Sequence, residues 1–193
     1  MNELHINIHS ETKCILNSDS DKIMDTHINS DTIIEALGLI EHPEGGFYKE
    51  TYRSGNSFSN GVDDSEFPTG RSFSTSIYFL LKSDQTSAFH RIKSDELWHF
   101  HLGSPLTIHI IHPDSLYEAL YLGPDLHTDQ QFQHVVPAGS WFGVSIDKTN
   151  SFTLSGCTVS PGFDFRDFEM GDPYMLKQAF PEHKEIINKL SGS

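Results

Sequence analysis

Arg71-Ser-Phe-Ser-Thr-Ser-Ile-Tyr-Phe-Leu-Leu81 alternates strictly: Phe73, Thr75, Ile77, Phe79 and Leu81 fall on one side, Ser72, Ser74, Ser76 and Tyr78 on the other. A period of two residues marks a strand with one buried face. Leu106, Ile108 and Ile110 repeat the pattern against Thr107, His109 and Ile111. Further short strands fit at 46–53, 86–92, 96–102, 116–122, 131–136, 140–146 and 151–160. Turn residues punctuate the chain at 82–85, 103–105, 112–115, 123–125, 137–139 and 147–150. Many short strands with almost no helix between them predict an all-β antiparallel sandwich or barrel and not an α/β fold.

The flanks differ. Residues 1–29 are rich in Asn, Ser, Asp, Thr and His with no sustained period, which predicts a disordered tail ahead of one domain over 30–190. A short helix should open that domain, capped by Ser30 or Asp31, with Ile33, Ile34 and Leu37 on one face and Gly38 as its stop. Residues 55–70 read as a long polar loop near a rim. Residues 173–190 read as one or two helices divided at Pro181, with Ile186, Ile187 and Leu190 docked on the barrel.

The 193 residues carry a formal charge of -14, from 13 Lys+Arg against 27 Asp+Glu. So acidic a surface repels phosphate backbones and anionic headgroups, which argues against nucleic acid and membrane partners. Cys14 and Cys157 make no disulfide framework or zinc site and suit free thiols. With no long apolar stretch and no basic-then-apolar leader, the expectation is a cytoplasmic protein without a cleaved signal.

Chemistry concentrates in Ser87-Ala-Phe-His-Arg-Ile-Lys-Ser-Asp-Glu-Leu-Trp-His-Phe-His-Leu-Gly103 and in Pro137-Ala-Gly-Ser-Trp-Phe142. These resemble the two cupin motifs, His-x-His followed by Glu and Gly, and Pro-x-Gly-x-x-His. His90, Glu96 and Gly103 match the first, while Ile92 stands at its second His and Phe142 at the His of the other. In cupins those four positions point into the barrel and hold one divalent metal. Ile92 and Phe142 have no lone pair to give, so no metal or other cofactor is assigned. If Glu96 faces the pocket, alternation puts Trp98 and Phe100 beside it and turns His99 and His101 away; a bulge between 96 and 99 would reverse this.

With His42-Pro-Glu-Gly-Gly-Phe-Tyr-Lys-Glu-Thr-Tyr-Arg-Ser54, Ser94-Asp-Glu-Leu-Trp-His99 and Val159-Ser-Pro-Gly-Phe-Asp-Phe165, the chain closely resembles the fifth cupin type from residue 32 to about 180. The resemblance implies a cupin double-stranded β-helix, or jelly roll, with a short N-terminal helix and a C-terminal helical segment, and a homodimer; the family has no agreed activity. More distantly, Glu44-Gly-Gly-Phe-Tyr-Lys-Glu-Thr-Tyr52 is similar to the opening strand of dTDP-sugar epimerases, which work without metal. That likeness implies His90 as general base with a Tyr as acid, leaving Tyr48, Tyr52 and Tyr78 open.

The catalytic candidates are therefore His90 and Glu96, the carboxylate orienting the imidazole and raising its basicity. Arg71 and Arg91, beside Arg53, are arginines able to hold a ligand's anion. Tyr78, Trp98, Phe100 and Phe142 complete the ligand-binding set, and aromatic walls favour a flat, partly apolar small molecule. Gly45-Gly46 lacks the following Lys-Ser/Thr of a phosphate loop and reads as a tight turn into a strand. The leading expectation is a small-molecule-binding cupin acting as a metal-independent isomerase or epimerase on a sugar-like carbonyl compound. A non-catalytic binding cupin is the alternative, and a metal oxygenase the third.

Overall fold

The structure is a computed structural model that describes residues 29–58, 67 and 70–191. The expected tail, most of the polar loop and Cys14 lie outside these residues. Helix α1 (Ser30–Leu37) is capped by Asn29, whose side chain accepts the Thr32 N–H at 2.9 Å, and not by Ser30 or Asp31. It ends on Gly38 in the left-handed conformation, φ 63°. Asn29→Ala should cost about 1 kcal/mol, read as a lower urea midpoint with an unchanged slope.

The strands are β1 (Ile40–Glu41), β2 (Phe47–Arg53), β3 (Thr75–Lys82), β4 (Ser87–Arg91), β5 (Asp95–Gly103), β6 (Leu106–Ile111), β7 (Tyr117–Leu122), β8 (Gln130–Gln131), β9 (Gln133–Val136), β10 (Trp141–Ser145), β11 (Phe152–Ser160) and β12 (Glu169–Met170). They form two six-stranded sheets, β1-β2-β3-β11-β5-β9 and β12-β4-β10-β6-β7-β8. Every pairing between named strands is antiparallel except β7 with β8. The molecule is all-β and antiparallel, as the alternation predicts, and a jelly roll, as the cupin resemblance implies.

The inward rows of both sheets meet in one apolar core, including Phe79, Leu81, Trp98, Ile108, Ile110, Phe142 and Val144. Helix α1 covers the outer face of β3 through Ile33, Leu39 and Leu80. On the other sheet, α2 (Pro173–Ala179) and α3 (Lys184–Lys189) are separated by a 3-10 turn beginning at Pro181. Leu176, Ile187 and Leu190 pack there on Phe89 and Ile111. Covered on both faces, β6 is buried at every position. No described helix is long and apolar enough to cross a membrane.

Two irregularities shape the interior. In β2, Glu50 pairs Ile77 but Tyr52 pairs Ser76, so Thr51 is an extra residue that resets the alternation. Tyr48, Glu50 and Arg53 consequently reach the interior cavity, while Tyr52 faces solvent. In β5 the pairing runs unbroken from Asp95 to Phe100 and slips at His101. No bulge lies between 96 and 99, so Glu96 and Trp98 face the cavity, and His101 packs on the outer face against Tyr78.

Candidate functional site

A cavity of about 350 Å³ lies inside the roll, at the lower end of the small-molecule range. Its wall is the inward row of one sheet: Tyr48 and Glu50, then Thr75, Ile77 and Phe79, then Cys157 and Val159, then Glu96 and Trp98. From the other sheet come His90 and Ile92, and from the β1–β2 turn His42 and Glu44. Phe163, Asp164, Phe165 and Phe168, which follow β11, close the remaining side.

The polar centre is built by a backbone contact. Gly45 has φ 109°, and a Cβ there would sit 2.3 Å from the Thr86 carbonyl oxygen, so the turn lies directly on the approach to β4. Ala88 N–H donates to the Glu44 carbonyl at 2.8 Å, fixing the register of that contact. The Glu44 carboxylate is thereby buried between Ser87, whose hydroxyl donates to Oε1 at 2.9 Å, and His90, whose Nε2 lies 3.0 Å from Oε2. The other His90 nitrogen, Nδ1, is 2.8 Å from the Ala88 carbonyl. A carbonyl only accepts, so Nδ1 carries a proton, and a second proton lies between Nε2 and Glu44.

The electrostatics decide where that proton resides. Burial opposes charge on His90, but Glu44 by charge and hydrogen bond, the Ala88 carbonyl and Glu96 outweigh it and hold its pKa above the ordinary value. Burial pushes Glu44 up, and His90, His42 and Ser87 together pull it below the usual carboxylate range. The pair is an imidazolium–carboxylate ion pair. Burial lowers the pKa of His42, against the pull of Glu44 and aided by His90, so its ring is neutral. Glu96 is the opposite case: burial, with a further push from Glu44, raises it to about 7 despite His90 and a hydrogen bond from the Cys157 thiol. Cys157 is a free, buried thiol, pushed well above its usual pKa by burial and by Glu96.

Of the residues singled out from sequence, His90, Glu96 and Trp98 line the cavity together. The carboxylate bound to His90, however, is Glu44, which the motif slots do not mark. Arg71 is buried outside the cavity, donating through Nη1 to Asp167 and to the Gly162 carbonyl at 3.0 Å; it clamps the closing segment. Arg91 pairs with Glu169 at 2.7 Å and lies over the Trp141 ring at 4.5 Å, on the outside. Tyr78 packs under α1, and Phe100 packs at the edge of the core. Phe142 is fully buried behind His90, ring centroids 4.0 Å apart, supporting the imidazole without lining the cavity. Among Tyr48, Tyr52 and Tyr78, only Tyr48 lines the cavity. The missed group is His42–Glu44, whose signal was the Glu44-Gly45-Gly46 turn leading into a period-two strand.

The cupin metal set does not fit these residues. Phe142 sits directly opposite His90 in register, so the third His slot is in its proper place but holds a phenyl ring. Ile92 lines the cavity at the second slot. Both His90 nitrogens are engaged, and no group of three or more His, Cys, Asp or Glu with metal-binding geometry occurs among the described residues.

Comparison with known proteins agrees with the fold. The family model described as Cupin superfamily (DUF985) matches residues 31–171. The chain is 32% identical over 163 residues to the uncharacterized protein YML079W of Saccharomyces cerevisiae, covering 78% of this chain and 80% of that one. Among solved structures, protein SO0799 from Shewanella oneidensis is 41% identical with a TM-score of 0.76, covering 84% of this chain and 97% of its own. A hypothetical protein from Leishmania major is 34% identical with a TM-score of 0.77, covering 84% and 98%. Jelly roll, motif slots and relatives converge: the chain belongs to the Cupin superfamily, in its DUF985 family.

Proposed function

We propose that the cavity binds a small, partly apolar carbonyl compound and moves a proton on it without a metal, as an isomerase or epimerase does. The observation that carries this reading is Glu96, a carboxyl buried in the cavity wall with its pKa near 7, where a group can both take and return a proton. His90 is not the base, because neither ring nitrogen has a free lone pair. Glu96 takes the proton from the carbon next to the carbonyl, and the C–H electron pair passes into the enolate, leaving negative charge on oxygen. The His90 imidazolium, locked by Glu44 and Ala88, is a fixed positive charge beside that step. Where the carbon next to the carbonyl carries a hydroxyl or amino group, its heteroatom proton passes to the enolate oxygen. Return of the carbon-bound proton from Glu96 to the former carbonyl carbon then gives an isomer. Delivery by Tyr48 to the original carbon from the opposite face gives an epimer, after which protonated Glu96 and the tyrosinate re-equilibrate with solvent.

The saturated ring of His90 favours a second reading, a binding cupin that leaves its ligand unchanged. The two separate by incubating the protein in D2O with a panel of small hydroxy- and amino-substituted aldehydes and ketones, followed by proton NMR. Proton transfer predicts deuterium at the carbon next to the carbonyl faster than in buffer alone. A compound that binds saturably and is recovered without deuterium contradicts the catalytic reading.

A further inference from the structure

The cavity's polar groups are unequal in what they leave open. Four carboxyl groups line it, Glu44, Glu50, Glu96 and Asp164, against the cationic side chains of Arg53 and His90. Arg53 is already paired: Nε and Nη2 donate to Glu50 at 3.0 and 2.6 Å, and Nη1 donates to the Phe163 carbonyl at 3.2 Å. His90 is spent on Glu44 and Ala88. Arg71 and Arg91 lie elsewhere, each in an ion pair of its own. A phosphate or carboxylate entering here would find the cationic side chains on the lining already paired, His90 with Glu44 and Arg53 with Glu50.

The segment that closes the cavity is aromatic. Phe163 and Phe165 have ring centroids 5.0 Å apart at 81°, Phe165 and Phe168 6.0 Å at 73°, and Phe163 and Phe168 6.2 Å at 68°. Rings near right angles form the walls of a box, in which more than one π face can address the same point. His42 joins them, stacked at 6.3 Å on Phe165 and edge-on at 4.6 Å to Tyr48, and as a neutral ring it adds no positive charge. Asp164 lies between Phe163 and Phe165 in the chain and is paired with Arg166 at 2.6 Å, as Glu50 is with Arg53. Aromatic π faces attract a weakly hydrated organic cation, and the cationic side chains on the lining, each already paired with a carboxylate, do not repel it as free charges would. The formal charge of -14 draws cations toward the molecule from a distance.

We infer that the ligand is an organic cation, an ammonium group carried on a small molecule and seated among Tyr48, Phe163, Phe165 and Phe168, and not a sugar phosphate or other anion. This deepens the reading of the cavity as the ligand site: the ammonium occupies the aromatic end, leaving the carbonyl end for Glu96. An amino-substituted carbonyl compound is the substrate class that satisfies both ends.

Three probes of nearly the same shape test it: choline, its neutral isostere 3,3-dimethylbutan-1-ol, and the anion 3,3-dimethylbutanoate, each titrated against the full chain by calorimetry or ligand-observed NMR. Choline should bind about tenfold tighter than the neutral isostere, and the anion weakest. Phe165→Leu alters a ring that is more than half exposed, so folding is spared. It should weaken choline several-fold and the neutral isostere less, so that the preference between them narrows. Equal or tighter binding of the neutral or anionic probe overturns the inference, as does the absence of saturable choline binding. These results are independent of deuterium incorporation. Choline preference without proton exchange sinks the isomerase reading alone, and exchange without choline preference sinks the cation alone.

Discussion

Glu44→Ala should lower stability by about 3–5 kcal/mol near pH 6, a drop in Tm on the order of 10 °C for a chain of this size. The substitution leaves the buried His90 imidazolium without its counter-charge and the Ser87 hydroxyl without its acceptor. The pH dependence follows from the two directions of shift. Glu44 has a folded pKa below its ordinary 4.5, so its contribution is complete above 4.5 and fades as pH falls through the lower folded value. His90 has a folded pKa above its ordinary 6.5, so its contribution is complete below 6.5 and fades as pH rises through the higher folded value. The difference between wild type and Glu44→Ala should therefore be widest between pH 4.5 and 6.5 and narrow on both sides. Chemical denaturation at a series of pH values reads this directly. A difference that is flat with pH, or smaller than about 1 kcal/mol throughout, would mean that the pair is not the charged lock described above.

Glu96→Gln should move stability the other way. A carboxyl raised from 4.5 to about 7 in the fold favours folding fully below pH 4.5 and loses that contribution as pH climbs from 4.5 to 7. Over that span the wild type should lose on the order of 3 kcal/mol to this one group, because ionising a carboxyl buried beside Glu44 is costly. Glutamine does not ionise. The variant should thus match the wild type near pH 4 and exceed it by up to about 3 kcal/mol at pH 8. Proton transfer on any substrate should fall by roughly 10²- to 10⁴-fold. Gained stability with lost activity is the signature of a strained functional group. If the variant were less stable at pH 8, Glu96 would be an ordinary ion-paired carboxylate, and its place as the proton carrier would fall.

The barrel was legible because alternation is local. Phe79, Leu81, Ile108 and Ile110 announce their faces within a few residues, and the structure puts them in the core as the pattern requires. The cupin motif slots likewise located His90 and Glu96. What stayed hidden depends on contacts between distant segments. The Glu44–His90 pair exists because Gly45 lets a turn rest on Thr86, a contact across 41 residues that no periodicity encodes. Arg71 and Arg91 look alike as ligand clamps until the chain beyond β11 returns Asp167 and Glu169 to them. Arg53 rather than Tyr52 reaches the cavity because of the bulge at Thr51, and nothing in Lys49-Glu-Thr-Tyr-Arg53 signals that extra residue. The motif puts Phe142 at the third His slot, which lies opposite His90 in register, and its ring packs behind the imidazole without lining the cavity.

The central claim is that one buried carboxyl stands half-ionised at neutral pH inside the cavity. Carbon-13 NMR of protein labelled at the glutamate carboxyls, with Glu96 assigned by its disappearance in Glu96→Gln, measures it without any ligand. The resonance should titrate with a midpoint near pH 7. A midpoint near the ordinary 4.5 would contradict the account, because a carboxylate already ionised at that pH would be neither strained nor poised to exchange a proton.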